Sequence, residues 1–86
     1  MSAGYRVFLT SRAFKDLEKL PPDIRRRVAE AIEKLAIGGR AVRMRKLGTV
    51  GWRVRVGNYR ILFEIDDKTK TIVIYRIRHR REAYRG

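Results

Sequence analysis

The sequence predicts a small α+β domain of order β-α-α-β-β-β, an antiparallel sheet with a two-helix hairpin packed on one face. Three observations carry this. Apolar residues recur at helical spacing in two adjacent segments between residues 12 and 38. They then alternate with polar residues from Trp52 onward. Gly57-Asn58 and Asp67-Lys68-Thr69-Lys70 separate the extended runs that follow. With 86 residues the chain has room for one domain, taken as residues 1–86. A domain of this size buries only about 60–65% of its unfolded surface, so one thin core must serve.

Each element has its own local cause. Tyr5–Thr10 is bulky and β-branched and reads as a short strand. Ser11 is placed to cap a helix over Arg12–Leu20, where Ala13, Leu17 and Leu20 form one stripe. Pro21-Pro22-Asp23 breaks that helix and opens a second, with Ile24, Val28, Ala31, Ile32 and Leu35 on one face and Gly38-Gly39 at its end. A basic connector over residues 40–49 contains Arg40, Arg43, Arg45 and Lys46. Trp52–Val56 and Tyr59–Asp66 make a hairpin closed by the two-residue turn Gly57-Asn58. Thr71–His79 is the last strand, and its apolar run Ile72-Val73-Ile74-Tyr75 predicts burial on both faces.

Composition narrows the function. The chain has no cysteine, which excludes disulfides, thiolate metal sites and a cysteine nucleophile. A single histidine cannot build a metal site alone, and neither a metal nor a cofactor is expected. No apolar run nears the roughly 18 residues of a membrane span, so a soluble, cytoplasmic protein with no membrane partner is expected. No phosphate-binding glycine-rich loop and no nucleophile elbow is present. What stands out is a net charge of +13. Residues 1–39 hold 8 Lys+Arg against 5 Asp+Glu, whereas residues 40–86 hold 14 against 4. Arginine outnumbers lysine 16 to 6, and its planar fork suits phosphate. The C-terminal half is therefore the expected contact surface for a polyanion.

The hairpin concentrates that charge. A two-residue turn at Gly57-Asn58 sets Arg55 opposite Arg60. Alternation then places Trp52, Val54, Val56, Tyr59, Ile61, Phe63 and Ile65 under the helices. Arg53, Arg55, Arg60, Leu62 and Glu64 take the other face. Like charges directly opposite weaken a strand pair, by no more than about 1 kcal/mol in water and salt. The arrangement gains nothing for folding, but it gains considerably if a phosphate sits between the guanidinium forks. The last strand adds Arg76, Arg78 and His79, with Arg80 just after. The four-residue turn before it leaves the register open, so their face is not determined by spacing. His79 is the one side chain whose ordinary pKa lies near neutrality, and surrounding cations favour its neutral form. Tyr84 could stack on a base or donate from its hydroxyl.

The segment Trp52-Arg53-Val54-Arg55-Val56-Gly57-Asn58-Tyr59-Arg60-Ile61-Leu62-Phe63-Glu64-Ile65 resembles the central signature of the RelE/ParE toxin superfamily. The ending Ile77-Arg78-His79-Arg80-Arg81-Glu82-Ala83-Tyr84-Arg85 is similar too, as is Ser11-Arg12-Ala13 leading into Leu17-Glu18-Lys19-Leu20-Pro21. The resemblance implies a RelE-like fold and a toxin of a type II toxin–antitoxin pair. For the RelE branch it implies an endoribonuclease that enters the ribosomal A site and cuts mRNA without metal, by attack of the ribose 2′-hydroxyl on the adjacent phosphate. By that resemblance Arg60 and Arg80 hold the phosphate, Arg55 stabilises developing charge, Arg53 positions the backbone and Tyr84 orients the nucleotide. Arg45, Lys46, Arg78 and Arg81 extend the RNA-binding surface.

Some members carry lysines where this chain has Arg53 and Arg55. Arginine is a very poor general base, so the base is His79, Glu64, or a group on the ribosome or RNA, with His79 the residue expected. The resemblance also implies an acidic, RelB-like antitoxin segment as partner and requires no homo-oligomer. The ParE branch, which inhibits DNA gyrase, is the main alternative, and a non-catalytic basic RNA-binding module is a third. The Arg55, Arg60, Arg80 and Tyr84 set favours RelE.

Overall fold

Seven elements follow one another in the computed structural model, which describes residues 4–38, 45–46 and 51–79. They are β1 (Arg6–Leu9), α1 (Ser11–Glu18), α2 (Pro22–Gly38), β2 (Arg45–Lys46), β3 (Trp52–Val56), β4 (Tyr59–Asp66) and β5 (Thr71–His79). The α+β class and the order of the helices and principal strands are those the sequence predicts. Arg40, Arg43, Arg80, Arg81 and Tyr84 lie outside the described residues, as do the side chains of Arg45 and Lys46.

One part of the expected architecture is corrected. The sheet is mixed, with strand order β1-β5-β4-β3-β2, and β1 runs parallel to β5. The other pairings are antiparallel, including the two-residue β2 on the outer side of β3. Hydrophobic periodicity reports which face a strand buries but not which distant strand it joins. The helices intervene between β1 and the hairpins, and β1 fills the one side of β5 that β4 leaves open. This also accounts for the apolar run in β5. Ile72 and Ile74 are fully buried on the helix side, and Val73 is half-buried on the other, because β5 has a strand on each flank.

The first helix begins one residue earlier than its stripe suggests. Thr10, not Ser11, is the N-cap, and its Oγ1 accepts from the Ala13 N–H at 3.2 Å. Thr10 also closes the strand ladder, donating its N–H to Ile74 O at 3.0 Å. Strand and helix therefore meet without a loop. The helix stops at Glu18, with Lys19 as C-cap, yet Leu20 still packs into the core. Ala13, Leu20, Val28 and Leu35 from the helices meet Val54, Val56, Ile61, Phe63, Ile72, Ile74 and Ile77 from the sheet. Each large apolar side chain buried this way contributes about 1.5–3 kcal/mol. Trp52 and Tyr59 pack at the edge of the same core. Among the described residues no helix is long and apolar enough to cross a membrane.

The turns hold the register. Gly57 has φ +58 while Asn58 has negative φ, the signs of a II′ hairpin turn. Between β4 and β5, Asp66 Oδ1 accepts from the N–H groups of Lys68 and Thr69, and Lys70 takes φ +55.

Candidate nucleic-acid interface

Residues of three strands meet in one row on the sheet face away from the helices. Arg55 pairs with Arg60 across β3 and β4, and Arg60 pairs with Arg78 across β4 and β5. The next row is Arg53, Leu62 and Arg76. The expected opposition of Arg55 and Arg60 is thus present, and the register left open by the sequence brings Arg78 beside them. Adjacent strands lie about 4.8 Å apart, so the three backbone positions span roughly 10 Å.

The three guanidinium groups sit in different surroundings. Arg55 is exposed, and its Nε donates to Gly57 O at 3.3 Å, which draws it back over the turn. Arg60 is only 6% exposed, the one buried charged side chain among the described residues. Arg78 is half-buried, and its Nε is shut away from water without a hydrogen-bond acceptor. A row of like cations in which Arg78 carries a buried, unmet donor works against folding. Local rules of this kind are broken mostly at functional sites. An anion with several acceptor oxygens is the group that turns this cost into charge-assisted hydrogen bonds.

Arg76, two residues before Arg78, is treated differently. Its Nε donates to Asp16 Oδ2 at 2.8 Å and its Nη2 to Asp16 Oδ1 at 3.3 Å. Asp16 also accepts the Ile77 N–H at 3.0 Å, where the β1 ladder has ended and α1 lies along the edge of β5. Burial pushes the Asp16 carboxyl up. The hydrogen bonds from Arg76 and Ile77, with the charges of Arg76 and Arg78, outweigh this and hold it below its ordinary value of 3.8.

His79 does not join the row. It pairs with Tyr59 on the helix side of the sheet, and the two rings meet edge to face at 5.1 Å between centroids. The parity of β5 sends Arg78 and His79 to opposite faces. Glu64 is on the arginine face, towards the far end of β4. The register slips between Leu62 and Phe63, leaving Tyr75 as the extra residue of β5. Its hydroxyl reaches across β4 towards Gly51, where an added Cβ would lie 2.8 Å from it. Burial raises the Tyr75 pKa above 10.0, and Glu64 adds to the rise.

A model of the ParE toxin of the type II toxin–antitoxin system parDE matches residues 7–84. The chain belongs to the RelE/ParE toxin superfamily. This toxin is 38% identical over 90 residues to Toxin RelG of Mycobacterium tuberculosis, covering 94% of this chain and 97% of the relative. A chain of the toxin–antitoxin complex RelBE2 from the same organism is 34% identical, with a TM-score of 0.68 over 90% of this chain and 92% of the other. A chain of the archaeal RelE–RelB complex of Pyrococcus horikoshii OT3 is 28% identical, with a TM-score of 0.78 over 90% and 96%.

Spacing along the chain did not single out the Asp16–Arg76 pair or the reach of Tyr75. Asp16 lies beside the apolar stripe of α1, a weak sign that it faces inward. Nothing in Ile72-Val73-Ile74-Tyr75 signals the bulge, which depends on how β4 and β5 fit together.

Proposed function

We propose that this toxin is a ribosome-dependent endoribonuclease of the RelE type, cutting mRNA in the A site in the cytoplasm. The observation that carries the reading is the Arg55–Arg60–Arg78 row on the sheet face the helices leave uncovered. The relatives of the RelE and RelG kind support it. In the reaction the ribose 2′-oxygen attacks the adjacent phosphorus, the bond to the 5′-oxygen breaks, and a cyclic phosphate and a 5′-hydroxyl result. Negative charge gathers on the phosphate oxygens in the transition state, and fixed cations stabilise it in proportion to how little they must reorganise. Arg60 and Arg80 hold the phosphate, Arg55 and Arg78 stabilise its charge, Arg53 positions the backbone and Tyr84 orients the nucleotide. No metal or cofactor has a part. The arginines cannot accept the 2′-proton at neutral pH. His79 faces away, so the proton goes to Glu64 or to a group on the ribosome or the RNA.

The partner that silences the toxin is a RelB-like antitoxin with an acidic segment, as the charge of +13 and the toxin–antitoxin complexes of relatives support. Pull-down with the product of the adjacent gene tests this, and failure to bind removes it.

The second reading, a ParE-type gyrase inhibitor, is favoured by the family model that matches. Mapping mRNA ends in a translation extract, beside a gyrase supercoiling assay, separates the two. Wild type should generate new mRNA ends and leave supercoiling intact. Arg60→Ala should lose cutting by roughly 10²–10³-fold. Because Arg60 is buried, the exposed Arg55→Ala serves as the second variant. Full cutting by a folded Arg55→Ala together with Arg60→Ala removes the site.

A further inference from the structure

Three consecutive arginines near the start of α2 have three different fates. Arg25 Nη2 donates to Leu20 O at 3.4 Å, tying α2 to the end of α1. Arg26 Nη2 lies 3.6 Å from Asp23 Oδ1 in an exposed pair. Among the described residues Arg27 makes no hydrogen bond or ion pair, although it is not loose. Its guanidinium lies against the β3–β4 turn. A Cβ added to Gly57 would meet Nη1 at 3.4 Å, Nη2 at 3.8 Å and Cζ at 3.9 Å.

The same glycine anchors Arg55, whose Nε donates to Gly57 O. Two guanidinium groups, one from each side of the sheet, are therefore gathered on a single turn. Arg55 keeps both terminal nitrogens free of protein acceptors among the described residues, and Arg27 keeps all of its donors. Like charges so placed repel, and among the described residues neither carboxylate nor carbonyl accepts from Arg27 in return.

We propose that Arg27 and Arg55 form a second phosphate clamp at the hairpin tip, which takes an RNA phosphodiester flanking the one held on the arginine row. This rests on the reading of the row as an RNA site. Arg55 belongs to both, so the clamp continues the row around the turn and onto the helix side. The tip itself offers exposed Gly57 and Asn58 and no apolar side chain, which suits a nucleic-acid backbone better than an acidic peptide that would bury apolar surface.

The test is fluorescence anisotropy with a short labelled single-stranded RNA across a series of KCl concentrations, on wild type, Arg27→Ala and Arg26→Ala. Arg27 is exposed and outside the core, so the variant folds. Arg27→Ala should bind about five- to tenfold more weakly, and its salt slope should fall by about 0.7, one phosphate contact on a single strand. Arg26→Ala should match wild type. Equal affinity and slope for Arg27→Ala and wild type, or equal losses in both variants, overturn the clamp, as does a wild type that binds no RNA. Cleavage mapped in the translation extract reports separately on the row. RNA binding that depends on Arg27 without any cutting upholds the clamp and removes the nuclease. Normal cutting with Arg27→Ala at wild-type affinity does the reverse.

Discussion

Arg76 and Arg78 are neighbours of one kind on one strand, and the fold uses them differently. Both belong to β5, two residues apart, and both are half-buried. Arg76 finds a carboxylate in Asp16, which also takes the Ile77 N–H. Arg78 stands in register with Arg60 and then Arg55, and its buried Nε has no acceptor. The pairing of Arg76 closes a sheet edge where β1 has run out. The row containing Arg78 gathers like charges on the sheet face away from the helices, and Arg78 itself meets no carboxylate among the described residues. Residue type therefore does not decide which arginine is structural. What decides is whether a neighbouring element supplies an anion.

The largest effect expected from breaking this comparison is on activity. Arg78→Ala should lower mRNA cutting by about 10²-fold, as for the loss of one preorganised donor, with thermal stability nearly unchanged. Primer-extension mapping of cut ends, paired with a melting curve, checks it. A melting loss as large as the activity loss would make Arg78 a second Arg76.

Asp16→Ala should show the opposite pattern. It removes a partly buried pair and the acceptor of the Ile77 N–H, costing about 2 kcal/mol of stability in chemical denaturation. Cutting per folded molecule should stay at the wild-type level. If cutting falls instead, the α1 clamp also positions the row.

The acid limb sharpens the structural half. The Asp16 carboxyl is depressed in the folded state, so its stabilisation is fully present above the ordinary value of 3.8 and is lost as pH falls through the lower folded value. The stability gap between wild type and Asp16→Asn should be constant from about pH 7 to 5 and shrink below roughly pH 4. A gap independent of pH down to the acid transition would show that the charge of Asp16 is not what holds Arg76.

The smallest effect isolates position from net charge. Lys70 lies in the β4–β5 turn, at the opposite end of β4 from Arg60, with φ +55 and its Nζ 5.2 Å from the Tyr5 ring centroid. Lys70→Gly relieves the left-handed strain but loses that contact, so stability should change by no more than about 0.5 kcal/mol. Cutting should be unaffected, although one positive charge is gone. A loss resembling that of Arg78→Ala would mean that overall field, not the row, drives the reaction.

Much of this was legible in the chain itself. The stripes through Ala13, Leu17 and Leu20, and through Ile24, Val28, Ala31 and Leu35, define the helices because side chains recur every 3.6 residues. Gly57-Asn58 sets Arg55 opposite Arg60 because a two-residue turn admits one register. Other features waited for the assembled sheet. Pairing of β1 with β5, the slip that frees Tyr75, and the partition of Arg78 from His79 all depend on contacts between segments far apart in sequence. The same holds for the fate of three successive arginines on α2. Local periodicity determines which side of an element is apolar, since that follows from backbone geometry alone. Which charges meet an anion and which are left facing outward is decided only when the elements pack, because that depends on what each one finds beside it.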